Sequence, residues 1–224
     1  MPETNLQNHD FIILIDFSGS MASTDAGKKG TRIERVKESV VGLVGELAAV
    51  DEDGIDLITF GGDTITPTTG ITDTEILNTV FARRVSGGTP TAEALAEAFE
   101  IAGKSDKPDF IVVFTDGEPN NRQAVKDVLI KQANSQDTDA ELTVLFIQVG
   151  DDAEAGAFLA ELDDGLGTKF DIVDTKTQAQ ADAFPTLAAL IEAAIAGGCS
   201  TSSWSPPSEP SSTVASRWAT SSRR

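Results

Sequence analysis

Short apolar runs alternate along the chain with longer stretches in which apolar residues recur every three or four positions. The run Phe11–Ile15 is continuous, rich in isoleucine and brief, which is typical of a strand buried on both faces of a sheet. Asp63–Thr68 is predicted as a short edge strand, because Pro67 cannot donate a hydrogen bond to a central ladder. The same pattern predicts further strands at Ile55–Phe60, Phe110–Phe114, Leu142–Val149 and, more weakly, Phe170–Val173.

The stretches between the strands have helical spacing. Ile33, Val36, Val40, Leu43, Val44 and Leu47 form the apolar stripe of an amphipathic helix. Further helices are predicted over about 73–81, 90–102, 121–132, 152–162 and from Phe184 to Ile195, with Gly197 as the last helix's stop signal. Strands that alternate with helices imply right-handed crossovers and a mostly parallel sheet covered on both faces. The sequence therefore predicts a Rossmann-like, three-layer α/β/α domain.

Composition divides the chain into a body and a tail. A polar lead occupies residues 1–8, the periodic body residues 9–196, and a stretch rich in Ser, Thr and Pro residues 197–224. The tail has too little apolar surface to offset the entropy of ordering, so we expect it to be disordered. It contains both tryptophans, Trp204 and Trp218. It is either a linker or expression remnant, or a short segment that docks a partner through these aromatic residues.

The body is strongly acidic. Thirty-six Asp and Glu against seventeen Lys and Arg give a net charge of −19, which disfavours nucleic-acid or membrane-surface binding and attracts cations. One Cys and one His exclude an internal disulfide framework and His- or Cys-rich metal clusters. The first ten residues carry no basic region of a secretory signal, and no apolar run is long enough to span a bilayer. We therefore expect a soluble protein of a reducing compartment, the cytoplasm.

Polar residues follow two buried strands and one glycine-rich loop. Asp16, Ser18 and Ser20 come directly after the first strand, and in an extended loop alternate residues point to the same side. Asp116 follows the strand Phe110–Phe114, and Thr89 lies in a Gly-Gly-Thr-Pro loop. Ligands of open α/β sheets bind outside the carboxyl ends of the strands, near the point where strand order reverses. These five side chains are thus expected at one edge of the sheet.

Two carboxylates and three hydroxyls form a set of hard oxygen donors. Such donors favour Mg²⁺, with Mn²⁺ and Ca²⁺ as alternatives, over zinc or copper. Few formal charges would leave the cation under-neutralised, with water in the positions that the protein leaves open. An Asp or Glu carboxylate from a protein partner could displace one of those waters. The sequence therefore predicts a binding site whose last ligand belongs to the partner.

The three segments, in this order along the chain, strongly resemble a von Willebrand factor type A (vWA) domain with a complete metal-ion-dependent adhesion site. The resemblance covers roughly residues 9–196 and implies a six-stranded sheet with one antiparallel edge strand. It implies that Ser18 and Ser20 bind the metal directly and that Thr89 binds it directly or through water. Asp16 and Asp116 would act mostly through water and hydrogen bonds. Intracellular members of this family often serve as adaptors, so we expect a non-enzymatic protein-binding module.

Other interpretations stay open at this point. Taken singly, Ser18 or Ser20 is typical of a helix cap, Asp116-Gly117 of a turn, and Thr89 of a cap for the next helix. The main alternative function is metal-dependent phosphoryl transfer, with Asp16 as nucleophile and Asp116 helping to hold Mg²⁺. Ser18 stands where haloacid-dehalogenase-like phosphatases have a second Asp, which disfavours it. Nucleotide binding is a third option, disfavoured because the turn after the first strand lacks a phosphate-binding glycine motif. The partner's identity and the oligomeric state stay open.

Overall fold

A single six-stranded sheet organises the molecule. The computed structural model describes residues 5–25, 29–51 and 54–197. The sheet order is β3-β2-β1-β4-β5-β6. The strands are β1 (Asp10–Asp16), β2 (Ile55–Gly61), β3 (Thr64–Ile71), β4 (Asp109–Thr115), β5 (Leu142–Gln148) and β6 (Val173–Thr177).

All neighbouring strands are parallel except β2 and β3, which pair antiparallel through a tight connection. Pro67 lies in β3 opposite Ile58 of β2. An edge strand tolerates proline, because one side of the strand has no neighbouring strand to receive a backbone hydrogen bond. The edge strand is therefore where proline predicted it, although it runs to Ile71 rather than ending at Thr68. The mostly parallel sheet with one antiparallel edge strand confirms the predicted fold class.

Helices cover both faces of the sheet. They are α1 (Arg32–Leu47), α2 (Ile76–Val80), α3 (Thr91–Ile101), α4 (Arg122–Ser135), α5 (Ala153–Asp164), α6 (Gln178–Ala181) and α7 (Leu187–Gly197). Short 3₁₀ turns occupy Asn5–Asn8 and Gly19–Ala22. None of the helices in the described part of the chain combines the length and apolar character needed to cross a lipid bilayer.

The continuous apolar run of β1 follows from burial on both of its faces. Phe11, Ile13 and Ile15 belong to the core layer that contains α1 and α7. Ile12 and Leu14 belong to the opposite layer, beneath α3, α4 and α5. Successive strand residues point to opposite faces of the sheet. A strand between two layers of helices therefore favours apolar residues at both its odd and its even positions.

The start of α1 is fixed by a reciprocal cap. The Thr31 hydroxyl accepts a hydrogen bond from the Glu34 amide at 3.3 Å, and the Glu34 carboxylate accepts one from the Thr31 amide at 2.7 Å. Such a capping box supplies partners for backbone amides that the first turn leaves unpaired. The capping box therefore fixes the first turn of α1, in which Arg32 is the first residue.

Three sequence predictions were wrong in detail, and one of them is the last helix, which begins at Leu187 rather than at Phe184. The last strand runs from Val173 to Thr177, not from Phe170 to Val173, because this edge strand pairs with β5 alone and carries polar residues. Phe170 instead packs against the core from the preceding loop. The helix predicted from about Asp73 to Phe81 is limited to α2. The tail predicted as disordered, except for Gly197, lies outside the described residues.

Candidate metal-binding site

The candidate residues lie at the carboxyl edge of the sheet, where the chain changes direction of strand addition. β1 pairs with β2 on one side and with β4 on the other, so the two central strands bracket the switch point. Asp16 is the last residue of β1, and Asp116 directly follows β4. This is the position at which open α/β sheets bind ligands.

Asp16 is fully buried and held at both carboxylate oxygens. Its Oδ1 accepts a hydrogen bond from the Ser18 amide at 2.7 Å. Its Oδ2 accepts one from the Thr115 hydroxyl, also at 2.7 Å. The Thr115 hydroxyl in turn accepts from the Gly117 amide at 3.1 Å. Asp16 thus ties the loop after β1 to the loop after β4.

The two serines lie together at the mouth of the site. Their hydroxyl oxygens are 3.1 Å apart, with Ser18 buried and Ser20 exposed. The loop is not extended throughout, as the sequence argument assumed, because Gly19–Ala22 forms a 3₁₀ turn. The turn brings the hydroxyls together, and the Ser18 side chain makes no capping hydrogen bond to it within the described chain. A helix-capping role therefore does not account for Ser18.

The loop that carries Thr89 is bound to its neighbours mainly through its backbone. The carbonyl of Gly87 accepts from the Gly19 amide at 3.0 Å. The Thr89 amide donates to Asn120 Oδ1 at 2.7 Å, and the Thr89 carbonyl accepts from the Asn120 amide at 2.9 Å. Thr89 is buried, and no side-chain cap is made at the start of α3 in the described structure. These bonds connect the Thr89 loop to the serine loop and to the segment after Asp116.

Glycine is needed where two of these loops touch. Gly87 has φ +72°, and a Cβ there would lie 2.5 Å from the Cα of Gly62. Gly62 itself donates its amide to the Gly88 carbonyl at 2.8 Å. A larger residue at position 87 would force the loops apart as well as strain the backbone.

Asp116 makes an ion pair that the sequence did not predict. Its Oδ2 lies 2.9 Å from Nη1 of Arg32. The same guanidinium contacts Asp25, with Nη2 3.0 Å from Asp25 Oδ1, and Arg35 also pairs with Asp25. Asp116 Oδ1 is buried and has no hydrogen-bond partner among the described residues. The two oxygens of Asp116 therefore differ, because only Oδ2 is paired with a cationic side chain.

The surroundings change how readily these groups ionise. Burial raises the pKa of Asp16 to about 6, against the hydrogen bonds from Ser18 and Thr115, and the nearby Asp116 carboxylate adds to the rise. Burial also acts to raise the pKa of Asp25, but hydrogen bonds from Arg35 and Arg32 hold that pKa below its ordinary value. At neutral pH both carboxylates are ionised, and Asp16 carries its charge at a cost.

The donor set fits a hard divalent cation. A buried, unpartnered carboxylate oxygen is costly, and a cation or its bound water would relieve that cost. Two adjacent hydroxyls and two carboxylates supply oxygen donors of the kind that Mg²⁺ and Mn²⁺ prefer. The described residues include no group of three or more His, Cys, Asp or Glu side chains that could hold a metal ion. Cation binding here would therefore depend on the hydroxyls as well as on the two carboxylates.

The sequence did not identify three residues of the site, Thr115, Asn120 and Arg32. Thr115 and Asn120 flank Asp116, so the placement of polar residues after β4 could have drawn attention to them. Arg32 gave no such signal, because its contact with Asp116 joins positions 84 residues apart.

A sequence comparison supports the predicted family. Residues 11–119 match the family model of the von Willebrand factor type A domain. The matched segment contains all five candidate ligands, Asp16, Ser18, Ser20, Thr89 and Asp116. A search of curated protein sequences gave no match.

Solved structures with the same fold are distant in sequence. The SpRpn10 VWA domain is 16% identical at a TM-score of 0.59, over 75% of this chain and 87% of that one. Manganese-loaded TRAP from Plasmodium vivax is 19% identical at a TM-score of 0.53, over 79% of this chain and 71% of that one. The pilus adhesin SpaC from Lactobacillus rhamnosus GG is 16% identical at a TM-score of 0.55, and 85% of this chain covers only 30% of it. At these identities the likeness establishes the fold alone.

Proposed function

Proceeding from the match of residues 11–119 to the von Willebrand factor type A domain, we propose that the chain is a divalent-cation-dependent protein-binding module. Ser18 and Ser20 would bind the cation directly, Thr89 directly or through water, and Asp16 and Asp116 mostly through water. A partner's Asp or Glu carboxylate would complete the coordination. When bound, the cation would supply a positive charge that attracts this carboxylate.

The proposal depends on two features that lie at the same edge of the sheet. They are a pair of adjacent hydroxyls and a buried carboxylate oxygen. The Ser18 and Ser20 hydroxyls lie 3.1 Å apart, and the same loop is bonded through Asp16 to the strand that presents Asp116. Asp116 Oδ1 is buried without a partner in the described structure. An all-oxygen cradle with an unmet acceptor is what a hard cation requires.

Two solved structures with this fold bear on the choice of cation and on the location of the protein. TRAP was crystallised loaded with manganese, which supports testing Mn²⁺ beside Mg²⁺. SpaC is a pilus adhesin, so this fold also occurs at cell surfaces. The cytoplasmic location that we propose rests on the single cysteine and the composition, and cell fractionation tests it. The adaptor role that we propose rests on the resemblance to the vWA family.

The burial of Asp16 argues against phosphoryl transfer. A nucleophilic carboxylate must reach the substrate phosphorus, whereas Asp16 is fully buried and accepts hydrogen bonds at both oxygens. A broad phosphatase assay with and without chelator tests this alternative. Turnover that requires metal and disappears in Asp16→Asn would favour an enzyme.

Calorimetry tests the proposal directly. Mg²⁺, Mn²⁺ and Ca²⁺ are titrated into the chelator-treated full chain and into Asp16→Ala. We expect one cation per parent chain and no heat from the variant. Asp109→Ala is the matched control, because Asp109 is also a buried aspartate but begins β4 at the opposite end of the sheet. Absence of binding to the parent, or equal binding by Asp16→Ala, would refute the proposal.

Affinity capture then addresses the partner. Parent and Asp16→Ala baits are compared in Mg²⁺ and in EDTA. Proteins retained only by the parent with metal are the expected partners, and mutation of an exposed Asp or Glu in such a protein should release it. Retention that ignores both EDTA and the Asp16 substitution would contradict metal-completed binding.

A further inference from the structure

Arg32 occupies an unusual place for a positive charge, beside a carboxylate that the proposed function assigns to a cation. It is the first residue of α1, and its side chain is 13% exposed. Its Nη1 donates to Asp116 Oδ2 at 2.9 Å, while its Nε and Nη2 both lie 3.0 Å from Asp25 Oδ1. The guanidinium therefore bridges two carboxylates.

The position of the guanidinium is fixed from a third direction. Gly150, which follows β5 with φ +98°, packs its backbone against it. A Cβ at Gly150 would lie within 2.8 Å of Nε, Cζ and Nη2 of Arg32. The fold thus leaves room at residue 150 for this one side chain. The fold therefore provides a defined position for this guanidinium. A surface ion pair has no such position and contributes little stability.

Arg32 and Arg35 are paired with the carboxylates of Asp116 and Asp25. Asp16, Asp116 and Asp25 supply three negative charges, and Arg32 and Arg35 supply two positive ones. Arg35 contacts Asp25 but makes no ion pair with Asp116 within the described chain. Arg32 is therefore the guanidinium that offsets the charge of a proposed metal-site carboxylate.

We propose that Arg32 lowers the resting cation affinity of the site by offsetting the charge of Asp116, so that firm cation binding depends on a partner's carboxylate. This inference rests on the proposed function. Arg32 is a positioning residue, since it acts through Asp116. It has two effects of opposite sign, because it also fixes the orientation of that carboxylate. Repulsion between a guanidinium and a divalent cation at one carboxylate is large even with strong screening, so the charge effect should dominate.

Binding energetics give the proposal its second part. A cation held weakly by the protein gains more from an added carboxylate than one already neutralised. Cation and carboxylate then raise each other's affinity by the same factor. Removing the positive charge of Arg32 should tighten cation binding and, at the same time, reduce its dependence on added carboxylate.

Calorimetry on the full chain at pH 7.5 tests both parts, with Mn²⁺ as the probe and acetate as the carboxylate, against matched chloride. We expect R32Q to bind Mn²⁺ about tenfold more tightly than the parent and to respond less to acetate. R32K keeps the charge but cannot bridge both carboxylates, so its Mn²⁺ affinity should lie between those of the parent and R32Q. R35Q is the matched control and should change the affinity by less than about threefold. Weaker or unchanged Mn²⁺ binding by R32Q would overturn the inference.

A second variant, for which we expect the opposite effect on Mn²⁺ affinity, keeps the test decisive if R32Q does not fold. D25N leaves Arg32 on Asp116 but removes the carboxylate that offsets it, so Mn²⁺ binding should weaken several-fold. If R32Q does not fold, tighter or unchanged binding by D25N overturns the inference. Mn²⁺ binding by the parent with no change in R32Q would refute the role of Arg32 alone. Silence in the parent and in R32Q would refute the proposed function as well.

Discussion

Replacing Asp16 by asparagine should stabilise the metal-free protein and abolish its response to Mg²⁺. Asp16 is fully buried, and its pKa is raised from 3.8 to about 6, first by burial and then by the Asp116 charge against the opposing hydrogen bonds. A carboxyl whose folded pKa is raised contributes stability below its unfolded pKa near 4. That contribution is lost as the pH rises through about 6. At pH 7.5 the parent therefore carries the full cost of an ionised Asp16.

The size of the effect follows from the shift. About two pKa units at 1.36 kcal/mol each give roughly 3 kcal/mol in favour of a neutral group at pH 7.5. Asparagine keeps one oxygen acceptor but loses the second, which costs about 1 kcal/mol. We expect Asp16→Asn to be more stable than the parent by about 1–3 kcal/mol. For a domain of this size that is a rise in Tm of roughly 2–12 °C.

Chemical denaturation in EDTA at pH 7.5 and at pH 4 measures this difference. The advantage of Asp16→Asn should shrink at pH 4, where Asp16 is protonated in the folded parent and about half protonated in the unfolded parent. Mg²⁺ should raise the Tm of the parent and leave Asp16→Asn unchanged. Asp109→Asn is a matched control, because burial also raises the pKa of Asp109 to about 6 at the far end of the sheet. It should stabilise the protein and keep the Mg²⁺ response. An Asp16→Asn protein less stable than the parent at pH 7.5 in EDTA would refute the reasoning.

Three further predictions follow from the loops and the tail. Thr115→Val removes a hydrogen bond that lowers the pKa of Asp16, so Mg²⁺ affinity should fall several-fold at pH 7 and recover towards pH 8, as calorimetry can measure. Gly87→Ala should destabilise the fold by about 1–3 kcal/mol in urea and weaken the Mg²⁺ response, and unchanged stability would contradict the loop contact. A chain ending at Gly198 should melt within about 2 °C of the full chain by circular dichroism, and a fall of many degrees would place the domain boundary elsewhere.

The fold was predictable because most of its strands are buried on both faces. A continuous apolar run as short as Phe11–Ile15 is typical of a strand buried on both faces, and its residues do belong to two core layers. The last strand was misplaced because an edge strand has one paired neighbour and tolerates polar residues. Phe170 misled the pattern, since it packs from a loop.

The candidate site was only partly predictable. Asp16 ends β1 and Asp116 directly follows β4, and because these strands are adjacent and parallel, topology alone brings the two residues to one edge. The turn that brings Ser18 and Ser20 together could not be read from alternation, which assumes extended backbone. Arg32 depends on where a helix begins, and its partner is distant in sequence. Contacts of this kind arise from packing between elements, and no local pattern encodes them.

Anomalous diffraction from crystals grown with Mn²⁺ tests the central claim most directly. We expect one strong peak at the carboxyl edge of β1 and β4, bound by the hydroxyls of Ser18 and Ser20, with Asp116 beside it. Asp16→Ala crystals grown under the same conditions should lack the peak. No peak in the parent at saturating Mn²⁺, or a peak bound by other residues, would contradict the account.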